Sequence, residues 1–124
     1  MSQYFQVSGR VLWNPSMGVS HLFVRAAESF ALHVDLPSGL GPMQADECEI
    51  NMETFTLFID ALIREYARSN HVILRSLMEG FLATGMALVE RGGGEPPTVR
   101  SSSEDPSIKA LQELSRRHES AMAW

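Results

Sequence analysis

Three side chains in the first half of the chain have the chemistry that a catalytic group needs. Cys48 can act as a nucleophile if a histidine such as His21 or His33 lies beside it in the fold. His21 and Glu28 fall on one side of a predicted helix, where an imidazole and a carboxylate can form an acid–base pair. Each candidate has a structural alternative, because free cysteines are commonly buried and charged helix faces commonly face water.

Glu79 is a different kind of catalytic candidate, because it lies in the most apolar stretch of the chain, residues 71–91. A carboxylate there must be paired, exposed at a gap in the packing, or kept protonated. It either faces water beside Arg75 or anchors a pocket between helices next to Gly80. The second interpretation gives a predicted ligand-binding set of Trp13, Glu79, Gly80 and Phe81.

Acidic side chains also cluster at residues 46–49, after a turn rich in glycine and proline. Together with His33 and Asp35 they suggest a carboxylate–imidazole metal site. Their spacing matches no closed metal-binding motif, and the alternation with Cys48 and Ile50 is typical of strand carboxylates that face solvent. The sequence therefore predicts no metal site and implies no cofactor.

Charge and composition exclude several classes of partner. The 124 residues carry a net charge of −5, and the ten basic side chains are scattered, so we expect no nucleic-acid binding. Arg75 and Glu79 interrupt the apolar run, which is shorter than the roughly 20 residues of a membrane span, so we expect no membrane insertion. A single cysteine and the lack of a signal-peptide pattern predict a cytoplasmic protein without disulfides.

Short strands are predicted at three places. Residues 4–7 and 10–13 flank Ser8-Gly9, and β-branched and aromatic residues around such a pair indicate a β-hairpin. Residues 47–50 alternate in polarity and predict a third strand. Two or three strands leave exposed edges that invite pairing with another copy, so a homodimer or another protein partner is expected.

Two amphipathic helices are predicted before the apolar stretch. The first starts at Asn14-Pro15, a favoured cap followed by a favoured first residue, and runs to about His33. The second is capped by Asn51 and has a broad apolar face. Asp60 and Arg64 form a predicted ion pair on its outer side.

Residues 71–91 are apolar on nearly every side of a helical wheel, which predicts a central helix surrounded by other elements. Gly80 and Gly85 lie inside it, although a glycine costs about 1 kcal/mol relative to alanine in a helix. Close approach of a neighbouring helix, or a ligand, would explain both glycines.

The predicted fold class is therefore α+β and mainly helical, with the hairpin and third strand packed on three helices. Residues 1–91 form one compact domain in this prediction. Residues 92–104 have the composition of a flexible linker, and residues 105–124 form a C-terminal amphipathic helix with a thin apolar stripe. That helix docks on its own domain, joins an oligomer, or binds a partner.

The stretches YFQVSGRVLWNPS, LPSGLGPMQADECEI and EGFLATGMALVER resemble a family of small uncharacterised bacterial proteins, a domain of unknown function. The resemblance covers residues 1 to about 91 and implies a single compact domain. It implies no activity, cofactor or partner.

Three classes of function fit these observations. The first is an interaction or accessory module, because no reactive constellation appears and the last helix has the character of a docking element. The second is a small enzyme of specialised metabolism, or a ligand-binding protein, with an apolar pocket between helices near Trp13, Phe81 and Met86. The third is an acidic immunity-type protein that neutralises a basic toxin, and it is suggested by net charge alone.

Overall fold

The computed structural model describes residues 1–124 and has the predicted α+β, mainly helical architecture. Three strands form one sheet, and five helices account for most of the chain. The elements are β1 (Tyr4–Val7), β2 (Arg10–Trp13), α1 (Met17–Val34), β3 (Glu47–Glu49), α2 (Met52–Arg68), α3 (Val72–Arg91), α4 (Pro97–Ser101) and α5 (Pro106–Ala121).

The sheet has the order β2-β1-β3, with β2 antiparallel and β3 parallel to β1. Ser8 and Gly9 both have positive φ, at 49° and 80°. This is the backbone of a type I′ turn, whose twist matches that of the two strands it joins. Phe5, Leu12 and Cys48 are fully buried on the inner face of the sheet.

Other parts of the chain contact both edges of the sheet. Residues 40–44 run beside β3, where the Gly41 N–H donates to the Glu49 carbonyl at 2.9 Å. At the β2 edge, Arg91 Nη1 donates to the Leu12 carbonyl at 2.7 Å. These contacts leave less open edge than the sequence suggests, and the homodimer stays a prediction.

Helix α1 begins two residues later than its sequence predicts. Ser16, not Asn14, is the N-cap, and its hydroxyl accepts from the Val19 N–H. The residues before it are held in extended pairing, because the Pro15 carbonyl accepts from the Gln3 N–H at 3.1 Å and Ser16 bridges Ser2. Tertiary pairing of the chain start thus displaces the local Asn-Pro signal.

Helix α2 follows its predicted pattern closely. Asn51 caps it through a bond from the Thr54 N–H, and the whole predicted apolar face is buried. Asp60 pairs with Arg64 at 3.3 Å, but Asp60 does not lie on an outer side, since only 6% of it is exposed. Its carboxylate also accepts from the Thr98 N–H at 2.7 Å, because the segment around α4 folds over it.

Helices α2 and α3 pack as antiparallel neighbours, with Tyr66 near Glu79 and Ile59 against Gly85. A side chain at Gly85 would collide with the tip of Ile59, so close helix approach explains this glycine. Gly80 faces open space and nothing lies near it. Helix packing therefore accounts for one of the two glycines and not for the other.

Helix α3 is long and apolar enough to cross a membrane by length and composition, but it is not surrounded along its whole length. Its burial is concentrated in the C-terminal half, from Met78 to Val89. Val72, Ile73 and Leu77 are exposed, since no element covers the first two turns on that side. The expectation of a helix enclosed on every side is wrong for this end.

The C-terminal segments are part of the same hydrophobic core. Residues 92–104, expected to form a flexible linker, contain α4 and place Val99 in the core. Helix α5 lies against α3 and buries Ile108 and Leu111 almost completely. The thin apolar stripe of α5 is sufficient for this packing, because α3 is apolar on several sides and has a second face that α5 can cover.

Candidate functional site

The predicted ligand-binding residues separate into two places in the fold. Trp13 and Phe81 line one groove, described below. Glu79 is exposed on another side of α3, with Oε2 3.5 Å from the Tyr66 hydroxyl, and Gly80 beside it is also exposed. Burial raises the pKa of the Tyr66 hydroxyl above its ordinary value, and the neighbouring Glu79 carboxylate adds to this shift.

His21 and Glu28 lie together on the outer face of α1, as their spacing predicts. Both are exposed and border a shallow depression with Arg25 and Gln3. No hydrogen bond joins the imidazole to the carboxylate. The pair therefore has the surroundings of a solvated helix face, without a pocket that would exclude water from a reacting group.

Cys48 is fully buried, and its thiol lies 3.3 Å from the Gly41 carbonyl. Burial raises the pKa of the Cys48 thiol to about 11, so it is protonated at neutral pH. A nucleophilic cysteine needs the opposite shift, since the thiolate is the reactive form. The thiol occupies a structural position in the core.

The acidic side chains around Cys48 support the hairpin. Glu49 accepts from the Ser8 N–H at 2.6 Å and holds the β1–β2 turn. Asp46 accepts from the amide of Gln3 at 3.2 Å. No three His, Cys, Asp or Glu side chains in the structure are placed to hold a metal ion.

The main concave surface is an apolar groove between α1, α3 and the end of α5, which we call the α1–α3–α5 groove. Its volume is about 770 Å³ and its lining is mainly hydrophobic. An aromatic floor runs through it, in which the Phe81 ring stacks 5.0 Å from Phe23 and 4.9 Å from Phe30. Trp13 meets Phe23 edge-on at 5.2 Å and joins this floor to the sheet.

The walls of the groove carry large apolar side chains that no part of the chain covers. Leu22 on α1 and Leu77 on α3 are each 70% exposed. Val19 lies on the same wall as Leu22, and Ile73 extends the exposed surface one turn along α3. Isolated exposed leucines are ordinary, but a contiguous apolar surface around a groove is typical of a binding site.

Residues 121–123, the last residue of α5 and the two that follow it, form the third wall, and Arg91 holds them there. The guanidinium of Arg91 is almost completely buried and donates to the Met122 carbonyl at 2.8 Å and the Glu119 carbonyl at 3.0 Å. The Asn14 N–H donates to the Ala123 carbonyl at 2.9 Å. The wall is therefore fixed to the core and to β2.

One end of the groove is polar. His118 Nδ1 lies 2.9 Å from the Thr84 hydroxyl, and Arg117 borders the same end. These two basic residues are the only titratable side chains in the lining, which contains no carboxylate. The groove thus combines an apolar body with a few converging polar groups, the usual composition of a ligand or peptide site.

Comparison with known proteins identifies a family whose function is unknown. The model of a family of unknown function (DUF6086) matches residues 1–124. The chain belongs to this family. The match includes the C-terminal residues beyond 91, in agreement with the packing of α5 into the core of this DUF6086 chain. No curated protein and no solved structure matches it.

Sequence reasoning missed the residues that form the walls of the groove. Leu22 and Leu77 fall in the apolar stripes of two predicted helices, where they are indistinguishable from core leucines. Arg117 and His118 lie on the C-terminal helix, for which docking on its own domain was only one of three alternatives left open by the sequence. One signal was available in the sequence. The helices α1 and α3 have more apolar positions than the short neighbouring strands can cover, which indicates that some of these positions are exposed.

Proposed function

We propose that this protein is a non-catalytic interaction module whose α1–α3–α5 groove binds the apolar face of an amphipathic helix from a partner protein. The observation that carries the proposal is the pair of exposed leucines, Leu22 and Leu77, on opposite walls above an aromatic floor. Helix-in-groove recognition uses this arrangement, in which apolar side chains spaced three and four residues apart enter a hydrophobic cleft.

Burial of the walls supplies a plausible binding free energy. Full burial of one leucine is worth roughly 1.5–3 kcal/mol. Leu22 and Leu77 each have most of their surface still to bury, and Val19 and Ile73 add to it. The aromatic floor is already packed against the core through Phe23 and Phe81. Its side chains therefore lose little conformational entropy when a partner binds.

Site-specific photo-crosslinking in the cells that produce the protein tests this proposal. The amino acid p-benzoyl-phenylalanine is placed at position 22 or 77, in separate variants. Position 32 is the matched control, because Leu32 lies on the same helix, is 84% exposed and does not line the groove. We expect adducts at 22 and 77 only, with crosslinked peptides from one partner that have apolar residues at helical spacing.

Three results would overturn the proposal. Equal adducts at positions 22 and 32 would mean that the groove has no special role. A crosslink to a second copy of the chain would identify a homodimer interface and exclude a separate partner as the occupant. Absence of protein adducts at both groove positions would remove the docking function.

A further inference from the structure

We propose that the helix bound in the α1–α3–α5 groove carries a carboxylate at one end of its apolar face, and that Arg117 and His118 receive it. This inference rests on the proposed function and specifies the chemistry of the partner. Its basis is the charge distribution around the groove, which is opposite in sign to that of the whole protein.

The chain has 15 acidic and 10 basic side chains, yet no acidic side chain lines the groove. Arg117 forms no salt bridge, whereas the adjacent Arg116 pairs with Glu113 at 2.7 Å and Arg64 pairs with Asp60. An unneutralised guanidinium at the edge of an apolar groove favours an occupant with negative charge. The same charge disfavours a basic helix.

The hydrogen bonds of His118 leave a second position for the carboxylate. The Thr84 hydroxyl lies 3.3 Å from the Gly80 carbonyl, to which it donates, and its oxygen can then accept from His118 Nδ1 at 2.9 Å. His118 makes no other hydrogen bond within the chain, so its Nε2 is available to an occupant. Arg117 and His118 both line this end of the groove, so both can act on one carboxylate there.

Two dyes that differ by one sulfonate test this chemistry without a known partner. The anionic probe is 1-anilinonaphthalene-8-sulfonate, and its uncharged analogue is N-phenyl-1-naphthylamine. We expect Arg117→Gln to weaken binding of the anionic dye about three- to tenfold, within the range for charge pairs at a partly desolvated site, and to leave binding of the neutral dye unchanged. Arg117→Lys should retain most of the anion preference.

Arg116→Gln is the matched control, since Arg116 is the adjacent exposed arginine of α5 and does not line the groove. Equal losses of anionic-dye binding in Arg116→Gln and Arg117→Gln would show that the dye responds to the overall surface charge and not to a site at Arg117. A stability change in Arg117→Gln without a change in dye selectivity would assign Arg117 to the helix C-terminus alone. Either result overturns the carboxylate inference, as would failure of both dyes to bind the wild-type groove.

The partner peptide identified by crosslinking gives a second, independent arm. Replacing its acidic residue by the corresponding amide should weaken binding to the wild-type protein and have little effect with Arg117→Gln. If the peptide binds through apolar residues and the two substitutions act additively, the carboxylate inference fails while the docking function stands. Failure of the crosslink itself would instead remove the docking function.

Discussion

Replacing glycine by alanine should stabilise the protein at one position of α3 and fail to stabilise it at another. Gly80 is exposed, and a methyl group added there meets nothing within 4 Å. Alanine is favoured over glycine in a helix by about 1 kcal/mol, so Gly80→Ala should stabilise the fold by about 0.4–1 kcal/mol. At roughly 3–6 °C per kcal/mol for a domain of this size, the melting temperature should rise by a few degrees.

Gly85→Ala gains the same helix propensity, but its methyl group would overlap the Cδ1 atom of Ile59 and lie 3.3 Å from Cγ1 of the same side chain. Ile59 is fully buried, so its tip has no free space to enter. Overpacking of this kind costs about 1–3 kcal/mol, which exceeds or cancels the gain from propensity. The two alanine variants should therefore differ by roughly 1–3 kcal/mol in unfolding free energy.

Chemical denaturation of four variants tests the cause as well as the sign. Ile59→Val removes the Cδ1 methyl and alone should cost about 1 kcal/mol. In combination with Gly85→Ala the losses should be less than additive, because the valine leaves room for the new methyl. Strictly additive effects, or a Gly85→Ala protein as stable as Gly80→Ala, would refute the packing explanation for Gly85.

Two further predictions concern buried polar groups. Burial raises the pKa of Cys48 from 9.0 to about 11, so its protonated form stabilises the fold below pH 9, and this contribution is lost between about pH 9 and 11. Urea titrations should therefore show a steeper loss of stability in that window for the wild type than for Cys48→Ala. Equal slopes for the two proteins would contradict the buried position of the thiol. Arg91→Met should destabilise the protein by about 3 kcal/mol or more, since three carbonyl oxygens lose a charged donor. Arg10→Met, which removes one exposed bond to the Arg91 carbonyl, is its control and should change stability by less than about 1 kcal/mol in denaturation curves.

The features that sequence reasoning predicted correctly are local ones. The Ser8-Gly9 turn needs two residues that accept positive φ, and the helix capped by Asn51 repeats its apolar residues with the helical period. Each of these signals acts over a few residues and does not depend on the rest of the fold. The misplaced start of α1 shows the limit, because pairing with Gln3 overrides the Asn-Pro pattern.

The groove could be predicted only in part, because exposure depends on which other elements cover a helix. Trp13 and Phe81 were predicted to border an apolar pocket between helices, and the structure places both in the groove. Leu22 has the same chemistry and spacing as the buried Leu62, and no local pattern distinguishes them. The docking of α5 on α3, which brings Arg117 to the groove, is a long-range event that its thin apolar stripe does not specify.

The exposed leucines are not required by the fold, and this separates a binding role from a structural one. Substitutions at exposed positions away from special features usually change stability by less than about 0.5 kcal/mol. Leu22→Gln and Leu77→Gln should therefore unfold like the wild type, since both side chains are largely in water. If Leu22→Gln loses the crosslink from position 77, if Leu77→Gln loses that from position 22, or if either variant loses the neutral dye, the loss is one of binding and not of folding. A large loss of stability in either variant would mean that these leucines serve the core, and the groove would lose its principal support as an interaction site.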